Sequence, residues 1–290
     1  MLKIVRMLLV AGAVAAPAGA LAAGGAEVHI DRQKWSFSGI TGTFDKAQLQ
    51  RGYQVYKEVC STCHGMRRIA FRNLYEPGGP SFPEEGVKAL AATFKVTDGP
   101  NDDGKMFERP AKASDRFPSP YQNEKEARSV HNGAYPPDLS VMAKARGLEN
   151  TSPWYKQLFW DMPRDIAVGY QEGGADYIHA VLTSYADAPA GFPMADGMNY
   201  NKAFPGNQIA MANPFAGGDG QVSYTKGPDG RPSAPETVDQ YSRDVTAFLM
   251  WAADPTLEQR KKMGWAVMIY LLVTSLLLFI AKKRVWASVH

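Results

Sequence analysis

Hydrophobic positions follow three patterns along this chain, and each predicts a different kind of element. From Met263 to Ala281 the sequence MGWAVMIYLLVTSLLLFIA carries no charge over about nineteen residues, close to the roughly 20 that a helix needs to cross a bilayer core. It is apolar on every face, where a buried core helix would be amphipathic. Arg260, Lys261 and Lys262 precede it, and Lys282, Lys283 and Arg284 follow, with Trp286 as an interfacial anchor, as expected of a membrane span. Residues 1–23 hold a shorter apolar run, Met7 to Val14, behind Lys3 and Arg6 and ahead of small residues at Ala20, Ala22 and Ala23. That order predicts a cleaved secretory signal, which would leave the following head outside and residues 282–290 in the cytoplasm.

The second pattern is an apolar stripe at helical spacing. In DKAQLQRGYQVYKEVC it runs through Leu49, Tyr53, Tyr56 and Val59, with Asp45 as N-cap and Gln48 three residues on, predicting a helix that leads to residue 60. In ETVDQYSRDVTAFLMWAAD it runs through Val238, Tyr241, Val245, Phe248, Leu249 and Ala252, and Asp254 before Pro255 should end or bend that helix. Two such stripes can bury each other if the helices cross, with Gly52 permitting close approach. The third pattern has no period. From Glu76 to Pro137 and from Asp187 to Pro235 the chain is dense in Gly and Pro, predicting long loops whose core a large flat cofactor would supply.

Composition changes this picture little. At 290 residues and 45% hydrophobic content the chain can bury one large domain or two small ones. Charge adds a division. The overall +3 includes two bases in residues 1–23 and six bases with one acid in residues 255–290, so the head between them holds 24 bases and 28 acids. An acidic head steers a basic partner. With no basic patch, internal repeat or nucleotide-binding glycine pattern, nucleic-acid and nucleotide binding are set aside.

The chemistry is carried by CSTCH, residues 60–64, which holds both cysteines of the chain. Two thiols separated by two residues, with a histidine directly after, form the attachment motif of haem c: Cys60 and Cys63 each add to a vinyl group and His64 lies under the iron. A disulfide or a thioredoxin-like pair leaves the histidine unexplained, and zinc would need two more ligands. His29, His131, His179 and His290 are scattered in sequence, so one motif predicts one haem. For the opposite face of the iron, Met106, Met142, Met162, Met194, Met198 and Met211 are available. Met211 is favoured because it follows the turn-rich FPGNQIA and precedes Asn213 and Pro214.

Several stretches resemble the cytochrome c1 family, the haem c subunits of cytochrome bc1 complexes, in its bacterial form. They are WSFSGITGTFDKAQLQRGYQVYKEVCSTCHGM, DGPNDDGKMFERPAKASDRFPSPY, NGAYPPDLSVMAKAR, ADYIHAVLTSY, FPGNQIAM and DVTAFLMWAADPTLEQRKKMG. The resemblance implies His64 and Met211 as axial ligands, the Pro137 carbonyl as acceptor of the His64 Nδ1 proton, Arg146 near a haem propionate, and Tyr177 and Phe204 lining the pocket. It also implies partners: cytochrome b, a Rieske iron-sulfur protein as donor, and a soluble or membrane-anchored cytochrome c as acceptor. The chain would act as a redox subunit of ubiquinol:cytochrome c reductase that binds no quinol itself.

Two features depart from the family pattern. Residues 148–174 are longer than in the mitochondrial form, and Trp154, Tyr155, Phe159 and Trp160 there are expected to pack as a local flap. No second cysteine pair braces the methionine loop, so packing and prolines would have to hold residues 187–235. The expectation is thus a mainly α protein: a cleaved signal (1–23), a periplasmic cytochrome c-like haem domain with long Gly/Pro-rich loops (24–254), a linker and transmembrane helix (255–281), and a cytoplasmic tail (282–290) at the bacterial inner membrane. Glu84, Glu85, Asp102 and Asp103 are expected to dock the acceptor. The competing readings are a membrane-anchored mono-haem carrier outside a bc1 complex, and a haem enzyme or sensor with an open distal site.

Overall fold

A computed structural model of the chain describes residues 28, 30–147, 152–167, 173–228 and 230–288. The signal expected over residues 1–23 lies outside them, as do His29, His290 and parts of the 148–174 insertion. The described residues are mainly helical, with two short antiparallel hairpins.

Helix α1 (Lys46–Val55) starts where the Asp45 side chain accepts the Gln48 N–H at 3.1 Å, the expected N-cap. Its last turn widens into a π turn, Tyr56–Cys60. Four further helices follow: α2 (Glu84–Ala92), α3 (Glu124–Val130), α4 (Met142–Ala145) and the short α5 (Trp154–Lys156). A π turn, Gln157–Asp161, joins α5 to α6 (Met162–Ala167). Helices α7 (Gly173–Thr183) and α8 (Val238–Ala253) complete the head.

The core is the crossing of α1 on α8, flanked by α7 and α4. Gly52 makes the crossing close: a Cβ there would sit 2.1 Å from the Asp244 carbonyl oxygen and 2.7 Å from the Phe248 Cβ. Leu49, Tyr53, Tyr56, Tyr241, Val245 and Phe248 of the two predicted stripes are buried, and so are Val55 and Trp251, which lie outside the stripes. A buried charge sits there too. Asp244 takes a two-point ion pair from Arg51 at 2.8 and 3.1 Å, and bonds from Tyr224 Oη at 2.8 Å and Gln240 Nε2 at 2.9 Å. Those partners satisfy a carboxylate that would otherwise cost several kcal/mol to bury.

The Gly/Pro-rich stretches hold more structure than their composition suggests. The first contains α2, α3 and a hairpin of β1 (Lys95–Asp98) on β2 (Phe107–Pro110). The second contains a two-residue pairing of β3 (Asn199–Tyr200) with β4 (Gln208–Ile209).

Past Ala253 the chain breaks at Asp254 and Pro255 and resumes as α9 (Leu257–Val285). This helix has 29 residues, extends beyond the expected span at both ends, and contributes an apolar window with 0% burial. Its first turns are fastened to the head. The Asp254 carboxylate binds Lys144 Nζ at 2.8 Å and the Arg260 guanidinium, Glu258 accepts the Phe44 N–H at 2.9 Å, and Lys261 Nζ donates to the carbonyls of Phe37 and Gly42 at 2.7 and 3.0 Å.

Candidate cofactor site

Residues 60–64 form a tight turn at the end of α1. The N–H groups of Cys63 and His64 both return to the Cys60 carbonyl, at 3.2 and 2.9 Å, and Tyr56 Oη donates to the His64 carbonyl at 3.2 Å. Both thiols are free. Burial, with the Cys63 charge second, pushes the Cys60 thiol up to about 12, which disfavours the thiolate that disulfide exchange needs.

His64 is oriented by a second strand of chain. Its Nδ1 lies 2.8 Å from the Pro137 carbonyl; a carbonyl can only accept, so Nδ1 carries the proton and Nε2 keeps its lone pair. Burial holds the imidazole below its ordinary pKa, against the opposing effect of the Pro137 bond. The neighbouring residues are stitched the same way: Leu139 N–H to Gly65 carbonyl at 2.9 Å, Arg67 N–H to Asp138 Oδ2 at 2.8 Å, and Arg68 N–H to Ser140 Oγ at 3.0 Å. Burial would raise the Asp138 carboxyl, yet the bonds from Arg67 and Ser140 outweigh it and hold it below its ordinary value.

Met211 lies on a different construction. It is half-buried and packs both on the main core, which also receives Cys60, and on a smaller cluster of Val181, Ala203 and Ile209 flanked by Tyr177, Tyr185 and Phe204. Its carbonyl accepts from Tyr185 Oη at 3.0 Å and Asn199 Nδ2 at 3.3 Å. The loop beneath is organised by Asn201, fully buried, whose Nδ2 donates to the Val181 carbonyl at 2.7 Å while Oδ1 accepts the N–H groups of Ala203 and Phe204 at 3.0 and 3.2 Å. The expectation of packing and prolines alone is therefore corrected, because side-chain hydrogen bonds close this loop. Of the other methionines considered, Met106, Met162 and Met198 are exposed, and only Met142 also packs on the main core.

Tyr177 is half-buried, and burial raises its phenol against the charge of nearby Arg146. Arg146 is itself exposed at the end of α4, and its guanidinium has no hydrogen-bond or ion-pair partner among the described residues. Two free thiols, an imidazole whose Nε2 has no partner among the described residues, a half-buried thioether and an unpaired guanidinium fit a haem with its vinyl groups, iron and propionates. A cleft of about 240 Å³ behind the turn, lined by Tyr53, Tyr56, Phe94 and Phe117, includes neither His64 nor Met211.

Sequence reasoning missed Tyr121 and His131, whose Oη and Nε2 lie 2.6 Å apart. Tyr121 is also raised by burial and by Cys63 beside it. His179, scattered in sequence, is buried with Nε2 2.9 Å from Asp239 Oδ1. Of the acidic residues expected to dock a partner, Glu84 and Glu85 share Lys88 at 3.1 and 3.0 Å, whereas the carboxylates of Asp102 and Asp103 are exposed in the β1–β2 turn without an ion pair among the described residues.

Comparison with known proteins adds an independent finding. The sequence model of a family described as the Cytochrome C1 family matches residues 35–289. A cytochrome c1 of Blastochloris viridis is 46% identical over 284 residues, covering 98% of this chain and 95% of that one. A protein named cytochrome b/c1 in Bradyrhizobium diazoefficiens is 48% identical over 258 residues, 89% of this chain but 35% of that longer protein. A mitochondrial cytochrome c1 heme protein of Solanum tuberosum is 43% identical over 231 residues, covering 80% of this chain and 75% of that one.

Proposed function

Because the chain belongs to the cytochrome c1 family, we propose that it is the haem-bearing electron-transfer subunit of a cytochrome bc1 complex. In this reading it passes single electrons from a Rieske iron-sulfur protein to a soluble or membrane-anchored cytochrome c, beside a cytochrome b that carries the quinol chemistry. The observation that carries it is the His64–Pro137 bond next to two free thiols. It presents a neutral, oriented Nε2 at the motif that attaches haem c. The bound haem supplies one-electron iron redox chemistry.

The chain's own residues then have distinct tasks. Cys60 and Cys63 hold the group covalently, and the Pro137 carbonyl fixes the ring plane and tautomer of His64. Met211 offers a thioether, a ligand that favours the reduced metal, from a loop pinned through its own carbonyl. Arg146 balances propionate charge, and Tyr177 and Phe204 exclude water on the methionine side. Asp102 and Asp103 contribute to docking the acceptor by long-range attraction. Helix α9 anchors the head in the bacterial inner membrane, with residues 24–254 in the periplasm and the last residues in the cytoplasm.

Purification in mild detergent tests the assignment. Cytochrome b and a Rieske protein should copurify with this chain, and a haem stain should survive denaturation. Cys60→Ala with Cys63→Ala should abolish that stain. Isolation of a haem-loaded chain without either companion would sink the bc1 assignment.

A further inference from the structure

The α5–α6 segment is built inside out. Gln157, Asp161 and Asp165 recur every four residues and form the side of the helix nearest the protein, while Trp154, Tyr155, Leu158, Phe159, Trp160, Met162 and Ile166 face away. This corrects the expected flap. Trp154 is 72% exposed, Phe159 71% and Trp160 67%. An ordinary surface helix does the reverse and turns its apolar stripe inward. At these exposures the four aromatics present roughly 500 Å², and the three aliphatic neighbours carry the patch beyond what soluble proteins usually leave in water.

The charges are sorted too. The two acids, Asp161 and Asp165, turn toward Arg32, with Asp165 Oδ1 2.8 Å from its guanidinium. The two bases, Lys156 and Arg164, are exposed and lack ion-pair partners among the described residues. The outward face is therefore aromatic, aliphatic and positive, the composition of a helix that lies in the headgroup region of an anionic bilayer.

Its position fits. Arg32, which holds the segment, is five residues from Phe37, whose carbonyl binds Lys261 at the top of α9. An extended chain of that length spans at most about 18 Å. Between them, Gln33 N–H and Trp35 Nε1 both bond Asp176 Oδ1, at 3.0 and 2.7 Å, which ties this strap to the first turn of α7. The attachment point of the segment thus lies within about 18 Å of the end of the head where α9 begins.

We propose that residues 154–167 form a second membrane contact, an interfacial helix that lies in the outer headgroup layer of the same bilayer α9 crosses. It holds the head down at a point away from the span. Trp154, Tyr155 and Trp160 sit at the polar boundary, Leu158, Phe159, Met162 and Ile166 reach the acyl chains, and Lys156 and Arg164 meet lipid phosphates.

The inference rests on α9 being the anchor, and the test separates the two. The full-length, haem-loaded protein is placed in nanodiscs of phosphatidylcholine and phosphatidylglycerol. A nitroxide is attached through Phe159→Cys, since Cys60 and Cys63 are taken up by haem. Collision rates with oxygen, which partitions into lipid, and with a water-soluble nickel chelate are compared with labels on Asp102→Cys and Leu276→Cys. An oxygen-to-nickel ratio at Phe159→Cys several-fold above Asp102→Cys supports the proposal. A ratio equal to that of Asp102→Cys overturns it, and so does shielding from both reagents, which would mean protein covers the face. Nickel access at Leu276→Cys would remove the anchor itself, and this inference with it. If Phe159→Cys fails to keep its haem, Ile166→Cys, at a site 63% exposed, reads out the same face.

Discussion

The two sides of the proposed cofactor site are held by different means. On the histidine side, residues 64–68 are sewn to residues 137–140 by a ladder in which main-chain groups take part in every bond but the Arg67–Asp138 ion pair. On the methionine side the loop closes on itself through the side chain of Asn201, with Tyr185 and Asn199 gripping the Met211 carbonyl. A ladder shares its load among many bonds, so losing one member leaves the rest in place. The methionine loop also has bonds from Asn207 to the carbonyls of Asn201 and Lys202, and between Gln208 and both Ala195 and Pro193. The fully buried Asn201 amide is nonetheless the group whose loss strands three main-chain partners at once. The histidine side should therefore yield gradually and the methionine side abruptly.

The largest expected effect isolates the methionine side chemically. Met211→Leu nearly conserves volume, so stability should change by less than about 1.5 kcal/mol. The reduction potential should fall by on the order of 100 mV or more, a fraction of the roughly 0.8 V range that axial ligands command, and the reduced protein should bind carbon monoxide rapidly. A redox titration that does not move would remove Met211 from the site.

Asn201→Ala tests the mechanical half of the comparison. It leaves the Val181 carbonyl and the N–H groups of Ala203 and Phe204 buried without partners, at a cost of about 2–4 kcal/mol. Carbon monoxide should again gain access, although Met211 is still present. Thermal melting together with ligand-binding kinetics checks both. Unaltered kinetics in a destabilised protein would mean that the loop holds its methionine without the amide.

Asp138→Asn probes the ladder and should do less, about 1 kcal/mol at neutral pH, because the His64–Pro137 and Leu139–Gly65 bonds remain. The effect depends on pH with a definite sign. The folded Asp138 carboxyl is depressed, so its contribution is complete above the unfolded value near 3.9 and is lost as pH falls through the lower folded value. Denaturant midpoints of wild type and Asp138→Asn should therefore converge below about pH 4. The gap between wild type and Asn201→Ala should stay flat over that range, since an amide does not titrate. Parallel behaviour of the two pairs would erase the distinction between the sides.

The same contrast explains how much was legible in the chain. The Asp45 cap, the apolar stripes of α1 and α8, the break at Asp254–Pro255 and the apolar run of α9 are short-range signals, set by spacing within a few turns. The CSTCH turn is equally local. Asn201 could not be read as a brace, because its acceptor lies on Val181 and only the folded loop brings the two together. Asp244 gave no sign of burial, since a carboxylate on a helix is ordinarily solvated and its partner Arg51 is 193 residues away. The insertion misled for a different reason. Trp154, Tyr155, Phe159 and Trp160 are core residues by type, and the clue against packing lay in the polar stripe of Gln157, Asp161 and Asp165.

The fastening at the top of α9 carries a mechanical consequence. With Asp254, Glu258 and Lys261 each bonded into the head, the joint works as a weld rather than a swivel. The nineteen uncharged residues of this helix span about 28 Å at 1.5 Å per residue, close to the roughly 30 Å hydrocarbon layer, and in a thinner bilayer such a helix leans. A welded head leans with it. The thickness of the host membrane then bears on the tilt of the head above it.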